Sequence, residues 1–168
     1  MHLTTYVHCI RLLLENGADI EVENADGLRP IHWAVRTGSV ELVELLIQHG
    51  ANVDAADVFG NRPLHEAACH GLSVVQLLVH HGTKVNIQNI DGKTPLHVAN
   101  AIEREHSDVA VFLLKAGANV GLTHVWSNRL LHYIILLLGN CSVVNTNVIT
   151  QTRMWANAQP DGRPAEYR

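Results

Sequence analysis

Gly92–Ala101 reads GKTPLHVANA, and three near copies of its first half stand elsewhere in the chain. They are GLRPIHWAV (Gly27–Val35), GNRPLHEAA (Gly60–Ala68) and SNRLLHYII (Ser127–Ile135). Aligned on Pro30, Pro63, Pro95 and Leu130, the copies are spaced by 33, 32 and 35 residues. Thirteen residues before each of these positions stands a glycine: Gly17, Gly50, Gly82 and Gly117. Each glycine closes an apolar stretch of helical character: CIRLLLENG, LVELLIQHG, VVQLLVHHG and VAVFLLKAG. The offset from glycine to the echo is constant, so the variation in length falls between the echo histidine and the next glycine. Self-similarity with a period near 33 is the mark of a stacked-repeat architecture, in which each unit buries its apolar face against its neighbours.

Bulk properties agree with a folded array. The 168 residues are 47% hydrophobic and 17% charged, a globular balance. Aromatics make up 5%, so the core is expected to be mostly aliphatic. The net charge of −4 opposes a nucleic-acid partner, because phosphate binding needs a basic face. Cys9, Cys69 and Cys141 are odd in number and far apart, which excludes a disulfide framework and suits a reducing compartment, cytoplasmic or nuclear. The N-terminal MHLTTYVHCIRLLLENGAD lacks a basic segment followed by an unbroken apolar core, so no signal peptide is expected. The longest apolar run, Tyr133–Leu138, is far short of the ~20 residues that cross a membrane, and no membrane partner is expected.

The pattern resembles the ankyrin repeat: a turn, T-P-L-H-x-A, two antiparallel helices and a loop. The resemblance covers about residues 5 to 140 and implies an all-α solenoid of helix-turn-helix units with projecting β-hairpin loops. Each part has a physical reason. Proline suits a first helical turn, where its missing N–H has no partner to lose. Thr94 can cap its helix through the hydroxyl; Arg29, Arg62 and Arg129 hold the matching place and cannot, at an expected cost of ~1 kcal/mol per helix. Leu42, Leu45 and Leu46 mark the apolar face of a second helix, and the following glycine suits its left-handed cap. The expected units are a truncated repeat over 1–23, whose second helix spans about His8 to Asn16, and repeats over 24–56, 57–88 and 89–123. A degenerate repeat over 124–152 and a flexible tail over 153–168 follow.

Two repeats depart in length. The 57–88 unit lacks one residue between Gly71 and Val74, where its helices meet. The 89–123 unit has two extra, placed by alignment at Asn100–Ala101 within the first helix, so a local bulge or a lengthened inter-helix loop is expected. At the C-terminal end Ile135, Leu136 and Leu137 are apolar where the family usually carries polar residues, and Asn147 stands where the second helix calls for leucine.

Among the 12 histidines, His32, His65, His97 and His132 belong to the echo. The resemblance implies that they hydrogen-bond between neighbouring repeats. Their spacing of about 10 Å along a stack is too wide for one metal ion with ligands near 2 Å, so neither metal nor cofactor is expected. Cys69, His70 and Glu66 share one short helix without the pocket that nucleophilic catalysis needs, so no enzyme is expected. What remains is surface. The resemblance implies a monomeric, non-enzymatic interaction module, a scaffold or adaptor, that binds a partner protein on its concave first-helix and hairpin face. Trp33, Arg36, Glu66 and His70 are expected on the helices, with Phe59, Ile90 and Trp126 at the tips. The alternative is a substrate-recognition or regulatory subunit of a larger enzyme assembly such as a ubiquitin ligase. That reading needs a second docking motif, and the sequence from Asn145 onward shows no such helical box. The resemblance also makes Asn86 a candidate for β-hydroxylation, with Leu78 eight residues before it.

Overall fold

The computed structural model describes residues 2–101, 107–120 and 122. Seven α-helices and no strand stand among the described residues. They are α1 (His2–Glu15), α2 (Pro30–Arg36), α3 (Val40–Gln48), α4 (Pro63–His70), α5 (Leu72–His80), α6 (Pro95–Ala101) and α7 (Ser107–Lys115). The first helices α2, α4 and α6 stack in one row; the second helices α1, α3, α5 and α7 stack in another. Within each repeat the pairs α2–α3, α4–α5 and α6–α7 pack together.

One continuous core runs along the stack. Leu46, Leu78 and Leu113, at one register of the second helices, are fully buried. On the first helices Ile31, Leu64 and Leu96 fill the equivalent layer. Ala34, Ala67 and Ala99 are buried at the places where small side chains let neighbouring helices approach.

Two expectations are corrected. The projecting loops are turns, not β-hairpins, among the described residues. Each finger is built by one Asx residue: Asn24, Asp57 or Asn89 accepts, through Oδ1, the N–H groups two and four residues on, at 2.7–3.0 Å. That side-chain turn satisfies the backbone locally and removes the need for a ladder. Gly60, three residues after Asp57, takes φ of 71°, and a Cβ there would meet the Ile90 nitrogen at 3.2 Å, so glycine is required twice over. Secondly, α1 starts at His2 rather than near His8, because no proline or glycine interrupts the sequence ahead of Val7. Asn100 and Ala101, where alignment places the two extra residues, belong to α6. The intervening residues 102–106 lie outside those described. The shortened repeat is joined by Gly71 alone, whose φ of 130° lets α4 turn directly into α5.

Candidate functional site

The site is set by how each first helix is started. At α2 and α4 the arginines make no side-chain cap. The echo histidine does that work. Nδ1 of His32 accepts the Arg29 N–H at 3.0 Å, and Nδ1 of His65 accepts the Arg62 N–H at 3.1 Å. With Nδ1 accepting, the proton sits on Nε2, which donates onward to Ala55 O at 3.1 Å and to Lys93 O at 2.9 Å. Each neutral imidazole therefore ties its helix to the loop leading into, or forming, the next finger. Burial pushes both imidazoles below their ordinary pKa, against the raising effect of those carbonyl bonds. In the third repeat Thr94 joins the cap, its hydroxyl donating to His97 Nδ1 at 2.7 Å. The displaced arginines work elsewhere: Arg29 pairs with Glu21 and Glu23, and Arg62 donates to the Asp54 carbonyl.

This frame presents two exposed groups of side chains. On the helices, the Arg36 guanidinium lies 5.4 Å from the Trp33 ring centroid and pairs with Glu66 on the next first helix at 3.0 Å. Glu66 in turn lies 4.0 Å from the His70 imidazole. Trp33 is 52% exposed despite this packing. The Glu66 hydrogen bond raises the Arg36 pKa, and the carboxylates of Asp57 and Asp26 in two fingers act in the same direction. At the finger tips, Phe59 is 56% and Ile90 69% exposed. The Ile90 N–H donates to Phe59 O at 3.1 Å, and the Val58 N–H donates to Asp26 O at 3.1 Å, so successive tips are tied by backbone.

Six of the seven expected partner-binding residues are thus placed as two groups: Trp33, Arg36, Glu66 and His70 in one linked row, Phe59 and Ile90 at adjoining tips. Trp126 lies outside the described residues. Val58 joins the exposed tip and carries a second apolar group there. Sequence reasoning missed Asn24, Asp57 and Asn89 as finger builders; their signal was an Asx residue three positions before Gly27, Gly60 and Gly92.

Chemistry other than binding finds little support here. Burial pushes the Cys69 thiol up, opposite to what a nucleophile needs. Among the described residues no group of three or more His, Cys, Asp or Glu is placed to hold a metal ion. No described helix is long and apolar enough to cross a membrane.

The family model described as ankyrin repeats (3 copies) matches residues 1–89 and 59–124. The chain belongs to the ankyrin repeat family. No curated protein matches it significantly. Ankyrin repeats are in general protein–protein interaction modules and typically not enzymes.

Proposed function

We propose that this ankyrin array holds a partner protein on the face made by its first helices and finger tips. The observation that carries the reading is the row Trp33–Arg36–Glu66–His70, which crosses from one repeat to the next, together with the exposed Phe59 and Ile90 at adjoining finger tips. An aromatic anchor held by a cation, with apolar neighbours and a polar rim, is the usual make-up of a binding hot spot. Trp33 is also held at low entropic cost, because Arg36 is itself fixed by Glu66.

The test is affinity capture with mass spectrometry, run with the wild-type array and a Trp33→Ala/Phe59→Ala variant side by side. The captured protein is then titrated against both. The variant should lose about 2 kcal/mol or more, roughly 30-fold in Kd, with helical content unchanged by circular dichroism. Substitutions at Gln48 and Lys84, on the second-helix side, should change binding little. If the double variant binds as wild type while those controls abolish binding, the partner uses the opposite face. Recovery of ligase subunits by wild type and variant alike would favour a receptor role inside a larger enzyme assembly.

A further inference from the structure

Trp33, Val58, Phe59 and Ile90 give the proposed partner face its exposed apolar groups. The charges around them are unevenly spread. In each repeat the finger is carried by the edge that runs from a closing glycine to the next proline. Between Gly17 and Pro30 this edge holds Asp19, Glu21, Glu23 and Asp26 against Arg29, a net charge of −3. Between Gly50 and Pro63 it holds Asp54 and Asp57 against Arg62, a net −1. Between Gly82 and Pro95 it holds Asp91 against Lys84 and Lys93, a net +1. The charge therefore changes sign along three successive fingers, and the first is the most acidic.

Asp26 stands where the acidic end meets the apolar groups. Its carbonyl oxygen accepts the Val58 N–H at 3.1 Å, which joins its finger to the one that carries Phe59. The charge on the guanidinium over the Trp33 ring is favoured by Glu66 most strongly, and by Asp57 and Asp26 as well. Of these three carboxylates, Glu66 is paired with Arg36, and Asp57 accepts the Phe59 and Asn61 N–H groups of its own turn. The Asp26 side chain is exposed and makes no hydrogen bond or ion pair among the described residues. Asp91, at the same place in the third finger, is paired with Lys93 at 3.3 Å. An exposed aromatic ring and an unpaired carboxylate on one face suit a cation on an apolar stem. The methylenes cover the ring while the charged head meets the carboxylate. An acidic segment would meet like charge at the first finger.

We propose that the partner protein presents a basic, apolar segment to this face, an arginine or lysine set against Asp26 and Trp33 and apolar side chains on Phe59 and Ile90. This builds on the partner face proposed above and adds the chemistry of what it holds. The segment has a direction. Its basic residue lies toward the first finger, where the edge is most negative, and its apolar part runs toward the third, where the charge is reversed.

Phage display of random peptides of about 12 residues on the full chain tests it, followed by fluorescence-anisotropy titration of the most enriched peptide in labelled form. Enriched sequences should combine arginine or lysine with leucine, isoleucine or aromatic residues and carry few acidic ones. Asp26→Lys should weaken the peptide about fivefold or more at about 50 mM salt, because it reverses one surface charge pair, and the loss should shrink as salt is raised. Asp91→Lys, the same change at the same place in the third finger, should weaken it less than about twofold. Trp33→Ala should weaken it about tenfold. Circular dichroism should show every variant as helical as wild type. Enrichment of acidic or neutral apolar peptides that lose binding on Trp33→Ala/Phe59→Ala overturns the basic segment and leaves the partner face standing. Basic peptides that bind the double variant as they bind wild type overturn the proposal and count against that face too. Equal losses for Asp26→Lys and Asp91→Lys overturn it, as does a selection that enriches no peptide, in which case capture of a folded partner alone decides the partner face.

Discussion

Replacing His65 by alanine tests the hydrogen-bonded frame that sets the first helices. The side chain is 2% exposed and spans two repeats, from the Arg62 N–H to the Lys93 carbonyl. Its removal leaves both backbone groups without that partner in a dry interior, about 1–3 kcal/mol, and opens a cavity the size of the ring. The expected total loss is about 3–5 kcal/mol. A second effect distinguishes the imidazole's chemistry from its bulk. Burial lowers the pKa of His65, with Arg62 adding to it and the Lys93 bond, Asp57 and Glu66 opposing it; His32 is lowered in the same way. In the unfolded chain a histidine titrates near about 6.5. Above that value both states are neutral and the contribution of each histidine is fully present. As pH falls below it, the unfolded chain takes up protons that the folded one refuses, so stability declines. The decline from pH 7.5 to pH 5.5 therefore has one contribution from each of the two imidazoles. Urea unfolding followed by circular dichroism at both pH values measures it. The wild type should lose stability between them, and His65→Ala should lose less. An unchanged pH dependence in the variant would refute the neutral, bridging imidazole, even if the variant is less stable.

Two further outcomes are expected. Leu46→Ala should cost about 2–5 kcal/mol in the same unfolding assay, since the side chain is 1% exposed within the core; a loss below about 0.5 kcal/mol would contradict the register. Co-expression with an asparaginyl hydroxylase should add one oxygen atom to the peptide containing Asn86, which is exposed in the loop after α5, and peptide mapping that finds only the unmodified mass removes Asn86 as a site.

Much of this was legible because repetition multiplies a weak signal. One Pro-x-His after an apolar stretch says little; three, and a Leu-Leu-His in the fourth place, each thirteen residues after a glycine, leave one architecture. The binding row was legible in part for the same reason. Trp33, Glu66 and Val98 share one register, and so their side of the helices followed from the beat. The link from Arg36 to Glu66 did not, because a contact between residues 30 apart depends on how closely two helices are stacked. Nor did the use of Arg29: its carboxylate partners Glu21 and Glu23 lie upstream in the loop, and only the folded finger brings them to the guanidinium. The exposure of Leu12 and Leu13 on α1 was hidden for a different reason. CIRLLLENG reads as a buried second helix like the others, and exposure is a property of what stands beside it.

The fold also explains why the length variation in the sequence falls where it does. The described connections from first to second helix comprise residues 37–39 and residue 71 in successive repeats, so they differ in length. Those described, at 37–39 and 71, make only local backbone hydrogen bonds, such as Gly38 to Val35 and Gly71 to Ala67. The opposite edge is different. Between each closing glycine and the next proline, the chain is bonded to the neighbouring repeat several times. Glu21 accepts the Asn52 N–H at 2.7 Å, Asp54 the Lys84 N–H at 3.3 Å and Asn86 the Asn119 N–H at 2.7 Å, all from one register. The Asn86 amide returns a bond to Gly117 O at 3.0 Å. Val58 and Ile90 then tie the tips, and His32 and His65 tie the helices to the loops ahead. A residue inserted here would displace this whole set against both neighbours, leaving polar groups unpaired, whereas one inserted at the helix junction displaces none of them. The constant offset of thirteen residues is therefore the imprint of this bonded edge. Because the finger tips hang from that edge, the same bonds that fix the offset hold Phe59 and Ile90 at a set distance from each other. The array can thus absorb gains and losses of sequence on one side while keeping Phe59 and Ile90 tied to one another on the side proposed to meet a partner.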